Sequence, residues 1–243
     1  MKNTLKNISI ISFWLIIWWL VSFFVSNHIL LVGPVETFAR LADLAGSTGF
    51  WLSILNSLER IVYGFSLALV FGIIIATFAG RFKLFHMVVM PFFGVIKSIP
   101  VASFTIIAIF WVGSSNLSVF IAFVTVVPII FFNTYQGIVD TDPQLLEMAH
   151  VFKISAYKKV RYIYLRTVAP YVISSVKSGF GFAWKAGIAA ELIGVAPDTI
   201  GFNLHMSRVF LQTADLFAWT FTIVILCYVI EKLMLYAFAR FYD

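Results

Sequence analysis

An all-α integral membrane protein with about six transmembrane helices is the fold class this sequence predicts, and three observations predict it. Of 243 residues, 61% are apolar and only 12% are charged, whereas soluble domains average roughly 45–50% apolar and about 25% charged. The mean hydropathy of +0.98 is spread along the whole chain and not confined to one anchor. Apolar runs of about 20 residues, the length that crosses about 30 Å of hydrocarbon, recur between charges, glycines and prolines.

The first run, 8–26, follows Lys2 and Lys6; it is too long and bulky for a signal-peptide core and has no small-residue cleavage site, so it is expected to stay as an anchor. Further runs cover 58–80, 87–112, 117–139, 171–195 and 216–238. Pro91 and Pro100 interrupt the third, which is tolerable in a bilayer only where protein or a cavity receives the freed carbonyls. Lys and Arg in short loops prefer the cytoplasmic side. Lys2, Lys6, Arg81, Lys83, Lys153, Lys158, Lys159, Arg161, Arg166 and Arg240 all fall on one side of a six-span frame, which puts both termini inside. The outer loops hold Arg40 and Arg208, with Arg60 at a border, beside Glu36, Asp43, Asp198 and Asp215. The longest hydrophilic segment, 140–169, is too short for a catalytic domain and must work by contact.

In the second span Gly64, Ala68, Gly72, Ala76 and Gly80 recur every four residues, a stripe that lets another helix approach closely. Ser175, Gly179, Ala183 and Gly187 repeat the device in the fifth span. Gly64, Ala68, Gly72, Gly179 and Gly187 are therefore expected to pack helices and not to touch a solute. Glu191 continues the fifth-span stripe, and a carboxylate at that depth needs a partner. Lys185 precedes it by six residues, about 240° around the helix, so the two share no face. Lys97 is the other intramembrane cation. The broken third span and these charges make Lys97, Ser98, Pro100, Ser103, Trp184 and Glu191 the candidates for lining a translocation route. The competing reading has Glu191 near the outer helix end and the lysines snorkelling or binding backbone carbonyls.

Several chemistries find no support. Cys227 is the one cysteine, and His28, His86, His150 and His205 are scattered, so neither a disulfide nor a metal site is expected. No GxxxxGK(S/T) loop occurs; residues 94–98 are the nearest text and lack the Gly-Lys pair. HExxH and GxSxG are absent, and the two SxxK matches at Ser155 and Ser174 stand without the rest of a catalytic signature. Basic residues among Tyr157, Tyr162 and Tyr164 lie between spans and have a membrane-side explanation, so no nucleic acid is expected.

Glu147-Met148-Ala149, followed by a basic amphipathic stretch and Pro170, resembles the EAA loop of permease subunits from ABC importers. Residues 133–140 (Asn-Thr-Tyr-Gln-Gly-Ile-Val-Asp) resemble the approach to that loop. Ser57-Leu58-Glu59-Arg60 with Gly64-Phe65 and Gly72 is similar to the family's second span, Ser98-Ile99-Pro100 with Phe110-Trp111-Val112-Gly113 to its third, and Trp184-Lys185 with Ala190-Glu191 to its fifth. The similarity covers about 57–231 and is closest to the nitrate, sulfonate and taurine group.

The resemblance implies a type I importer permease fold: an anchor helix and outer loop at 1–56, then a permease core at 57–243 with the coupling loop at 140–170. It implies that Glu147, Met148, Ala149, Val151, Phe152, Lys153 and Ser155 dock in a groove of a separate ATPase, as a small helix with apolar and charged sides can. It also implies two ATP-binding subunits inside, an extracytoplasmic substrate-binding protein received near 198–215, a homodimer, and a prokaryotic inner-membrane location. The chain itself would be non-catalytic and hold no cofactor or metal, ATP and Mg belonging to the ATPase. The cargo would be a sulfonate-, taurine- or nitrate-like anion or a vitamin precursor. Where the family carries Gly six residues after the Glu, this chain has Lys153, which predicts a less sharply bent joint because Lys takes positive φ at a cost. For the loop itself the alternative is an interfacial helix held on anionic lipid by Lys158, Lys159 and Arg161; for the whole chain it is a secondary transporter, which would usually show two repeated halves with paired broken helices.

Overall fold

The computed structural model describes the backbone at residues 2–25, 27 and 29–242 and the side chains at 9–25, 27, 29–233 and 236. The side chains of Lys2, Lys6 and Arg240, and residues Ser26 and His28, lie outside the described residues. The described elements are all helical: α1 (Lys2–Val25), α2 (Pro34–Ala45), α3 (Thr48–Arg81), α4 (Lys83–Ser98), α5 (Val101–Val139), α6 (Pro143–Val151), α7 (Ala156–Lys159), a π-helical turn (Val160–Tyr164), α8 (Leu165–Gly194), α9 (Ile200–Val209) and α10 (Thr213–Tyr242). Among the described residues, α3, α5 and 213–233 of α10 are each long and apolar enough to cross a membrane, and Ser9–Val25 of α1 is a shorter apolar segment. The thirty residues of α8 are long enough but carry Lys177, Lys185 and Glu191, which lower their hydropathy.

The third predicted run is two helices. Its break falls at Ile99–Pro100 alone: both residues are extended there. Pro91, predicted as a second interruption, sits inside α4; losing one N–H leaves the helix intact where its neighbours hold it. A second joint lies at Gly113, with φ 70° and ψ 170° inside α5, a conformation glycine reaches without steric cost. It folds α5 back on itself. The Phe104 and Phe120 rings lie 6.0 Å apart, whereas sixteen residues of straight helix would separate them by about 24 Å. Phe93 meets Phe131 and His86 stacks on Tyr135 at 4.5 Å. So α4 and the first limb of α5 (α5a, 101–112) together run antiparallel to the second limb (α5b, 114–139). The six predicted spans correspond to α1, α3, α4 with α5a, α5b, α8 and α10.

Small residues set the spacing of the central trio. A Cβ on Gly64 would meet the Val119 carbonyl at 2.4 Å, one on Gly72 would meet Ile130 at 2.7 Å and one on Gly80 would meet Ile138 at 2.7 Å, so α3 and α5b run parallel in close contact. Gly179 faces Val126, Gly187 faces Ile61 and Gly194 faces Leu117, so α8 runs antiparallel to both. Ala68, Ala76 and Ala183 fill the same seams at 0% exposure. Phe65, Phe131, Phe180 and Trp184 are enclosed between the helices.

Candidate functional site

The coupling-loop candidates lie at the end of the bundle where α5b leaves the membrane. Asp142 caps α6, its carboxylate accepting from Gln144 N at 2.8 Å, and Pro143 occupies the first turn, an arrangement that supplies an acceptor and a preset φ. The helix ends in a paired turn: Lys153 N donates to His150 O and Ile154 N to Ala149 O at 2.9 Å, with Lys153 itself at φ 51°. That is the left-handed C-terminal cap usually filled by glycine. The joint is therefore as sharp as a glycine would make it, correcting the expectation from Lys153; the two hydrogen bonds hold the lysine in a conformation that costs about 1 kcal/mol.

The loop residues divide by exposure. Val151 and Phe152 are each 74% exposed, Met148 43% and Leu145 41%, whereas Ala149 is 1% exposed. Glu147, Lys153 and Ser155 are exposed. Ala149 is thus enclosed, its carbonyl accepting from Ile154 N inside the loop, and it has no surface to offer a groove. The outward apolar edge is Leu145, Met148, Val151 and Phe152.

The six route candidates also divide. Lys97, Ser98, Pro100 and Ser103 share the exposed joint of α4 and α5a, with Lys97 Nζ 5.7 Å from the Phe132 ring centroid. Trp184 and Glu191 are 0% exposed and lie apart from that joint: the Trp184 indole N–H donates to Ile223 O at 3.1 Å, and Glu191 joins a buried polar node. Ser57 donates to Glu191 Oε2 at 2.7 Å and accepts from Ile200 N at 2.9 Å; Gly201 N also donates to Glu191 Oε2. Thr199 caps Phe202 N at 3.1 Å. The free N–H groups that open α9 are thereby satisfied, and the carboxylate sits at the positive end of that helix. Arg60 and Ser118 face the same node. A Cβ on Gly201 would fall 2.3 Å from that of Glu191, so only glycine admits this approach.

Sequence reasoning singled out Glu191 but missed Ser57 and Gly201, which lie 134 residues before it and 10 after it; no periodicity links them. Lys185 is exposed on the opposite side of α8, in line with Ser174, Lys177 and Ser178, which are exposed too. Among the described residues none of the three lysines 97, 177 and 185 has a carboxylate within ion-pair reach.

At the outer end, Arg40 on α2 forms a two-pronged ion pair with Asp215 at the start of α10. That hydrogen bond first, and then the charges of Asp215 and Asp43, hold the Arg40 pKa above its ordinary value. Asn56 reaches Asp198 O and Asn203 reaches Ser53, both at 2.9 Å. Between them a basin of about 540 Å³ opens, lined by polar side chains such as Asn56, Asn203 and Asp215 and by apolar ones such as Phe50, Met206 and Trp219. Among the described residues no group of histidine, cysteine or carboxylates could hold a metal.

Comparison with known proteins agrees with this architecture. The chain is 27% identical over 220 residues to a Bacillus subtilis protein named as an aliphatic sulfonates transport permease, spanning 90% of this chain and 78% of that one. It is 28% identical over 204 residues to the nitrate import permease protein of Synechococcus elongatus, spanning 79% and 73%. It is 29% identical over 154 residues to that organism's bicarbonate transport system permease protein, spanning 63% and 55%. A chain of a bacterial ABC transporter involved in the import of the acidic polysaccharide alginate superposes with a TM-score of 0.62 at 15% identity, covering 100% of this chain and 99% of that one; the folds are the same. The model of the binding-protein-dependent transport system inner membrane component matches residues 68–243, so the chain belongs to that family of importer permease subunits and not among secondary transporters.

Proposed function

We propose that this chain is the pathway-forming subunit of an ATP-driven importer for a small anion in a prokaryotic inner membrane, paired with a second copy, with two ATP-binding subunits inside and a substrate-binding protein outside. The observation that carries the coupling role is the apolar edge of α6: Val151 and Phe152, each 74% exposed, project from a helix capped at both ends. A rigid helix with an exposed apolar edge on the cytoplasmic side fits a groove in a partner. ATP and Mg belong to that partner, and this chain performs no catalysis. The anchor at 1–56 and the core at 57–243 remain the division of the chain, and the basin beside 198–215 is the receiving surface for the binding protein.

The cargo reading rests on charge. Lys97, Lys177 and Lys185 are exposed on membrane helices without carboxylate partners, and such cations are costly unless they face water or an anion. With Ser174 and Ser178 the α8 lysines form one exposed polar line, and Lys97 with Ser98, Pro100 and Ser103 forms a second at the α4–α5a joint; both are assigned to the route that two copies would enclose. The relatives named above are named for sulfonates, nitrate and bicarbonate, all small oxyanions. ATP-driven uptake in proteoliposomes containing the full complex, assayed with taurine, nitrate and an uncharged control, tests this. Lys177→Ala with Lys185→Ala is expected to lower anion uptake about tenfold or more, the effect of roughly 1.4 kcal/mol; unchanged anion uptake would overturn the cargo assignment.

A further inference from the structure

A groove of about 360 Å³ opens on the cytoplasmic half of the bundle, between the last turns of α3, the end of α5b and the first turns after α7. Its wall is formed by Ile73, Thr77, Ile138, Val160, Leu165 and Val168, with Arg81 and Tyr164 at its cytoplasmic end. Thr134 also lines it, 1% exposed and with its hydroxyl unpartnered. The π-helical turn at Val160–Tyr164 builds one side: Val160 and Tyr164 line the groove, Ile163 is buried beneath, and Arg161 and Tyr162 are exposed. Widened turns of this kind recur at functional sites.

We infer that this groove binds an anionic phospholipid of the cytoplasmic leaflet, with an acyl chain along Ile73, Thr77 and Ile138 and the phosphate on Arg81. Ile73 to Gly80 belongs to an apolar membrane run, so the neighbour of the groove is hydrocarbon and an apolar recess there fills with lipid tail. The mouth selects the headgroup. Arg81 is exposed, lies 5.9 Å from the Phe82 ring centroid and has no carboxylate within ion-pair reach among the described residues. On the same side of the membrane Lys83, Arg161 and Arg166 are exposed, while Asp140, the nearby acid at the end of α5b, is engaged by Tyr171 and by Gln136. A net positive rim over an apolar cleft is complementary to a phosphate carried on acyl chains. An uncharged or zwitterionic lipid would fill the cleft without meeting that charge. The inference depends on the membrane orientation and not on the coupling role of α6.

Native mass spectrometry of the delipidated full-length chain, titrated with dioleoyl phosphatidylglycerol or dioleoyl phosphatidylethanolamine, reads the site directly. The wild type is expected to retain the anionic lipid preferentially. Arg81→Gln, at an exposed position, should lower phosphatidylglycerol occupancy about fivefold, the effect of one basic side chain near a charged headgroup, and leave phosphatidylethanolamine unchanged. Thr77→Phe, whose lost hydroxyl bonds only to Ile73 O of its own helix, should lower both by filling the cleft. Lys158→Gln, outside the lining, should change neither. Equal retention of the two lipids by the wild type would overturn the inference, as would a preference that survives Arg81→Gln but disappears in Lys158→Gln, which would assign it to the general basic surface.

Discussion

Ser57 and Glu191, 134 residues apart in the chain, are joined by a 2.7 Å hydrogen bond at a point where neither is exposed. Through Ile200 N and Gly201 N the same two side chains hold the first turn of α9, so three helices of the outer half meet at one polar contact. The pair holds α3, α8 and α9 together in that half. Ser57→Ala removes an acceptor and a donor together and should cost about 2 kcal/mol at roughly 1 kcal/mol per hydrogen bond. Glu191→Gln keeps an acceptor for both donors and should cost less than Glu191→Ala. Thermal unfolding of the purified protein in detergent checks the order: Glu191→Gln nearest to wild type, Ser57→Ala and Glu191→Ala lower.

Glycine substitutions separate packing positions from open ones. Gly64→Ala drives a methyl group to 2.4 Å from a backbone carbonyl of α5b, which cannot yield as a side-chain tip would, and overpacking of this kind costs about 1–3 kcal/mol. A Cβ on Gly181 meets nothing within 4 Å, so Gly181→Ala should be neutral or stabilise by about 0.5–1 kcal/mol through helix propensity. A melting temperature lowered equally by both variants would show that the seam has been misassigned.

Lys153→Gly should stabilise the chain by about 1 kcal/mol, because the turn at φ 51° is kept while its steric cost is removed. The expected readout is a higher melting temperature with unchanged binding to an ATP-binding subunit. Loss of stability would mean that the lysine side chain, and not the turn, holds the loop.

The Arg40–Asp215 pair ties α2 to the outer end of α10. Arg40 is 42% exposed, so solvent screening limits the contribution and Asp215→Asn should cost only about 0.5–1 kcal/mol. The folded-state pKa of Arg40 is raised above its ordinary value; its share of the pairing is therefore present throughout the neutral range and is lost only at strongly alkaline pH. Unfolding midpoints of wild type and Arg40→Gln, compared from neutral to mildly alkaline pH, should keep a constant difference.

Much of the bundle is legible in the sequence because its determinants are local. Glycines eight residues apart, with alanines halfway between them, mark the contact faces of α3 and α8, and clustered Lys and Arg mark one membrane side. The same logic fails where the decisive partner is remote. Glu191 reads as an isolated membrane charge until folding brings Ser57 and the start of α9 to it. Pro91 and Pro100 look alike in sequence, yet only Pro100 breaks the backbone, since its predecessor is extended. Gly113 falls in the gap between the predicted runs 87–112 and 117–139, so the reversal is legible there, while the positive φ that makes it is not. Ala149, the last letter of the loop motif, is enclosed where the chain turns back at Lys153 and Ile154 N reaches its carbonyl, a placement that the motif's composition does not show.

The measurement that tests the central claim is co-elution of the full-length chain with its ATP-binding subunit in detergent or nanodiscs, for wild type and for Phe152→Asp. Phe152 is 74% exposed and lies outside the bundle core, so the variant should remain folded and monodisperse. A complex that forms with the wild type and is lost with Phe152→Asp is the predicted result. A chain that elutes alone, or a complex indifferent to the substitution, would contradict the assignment of α6 as the coupling element.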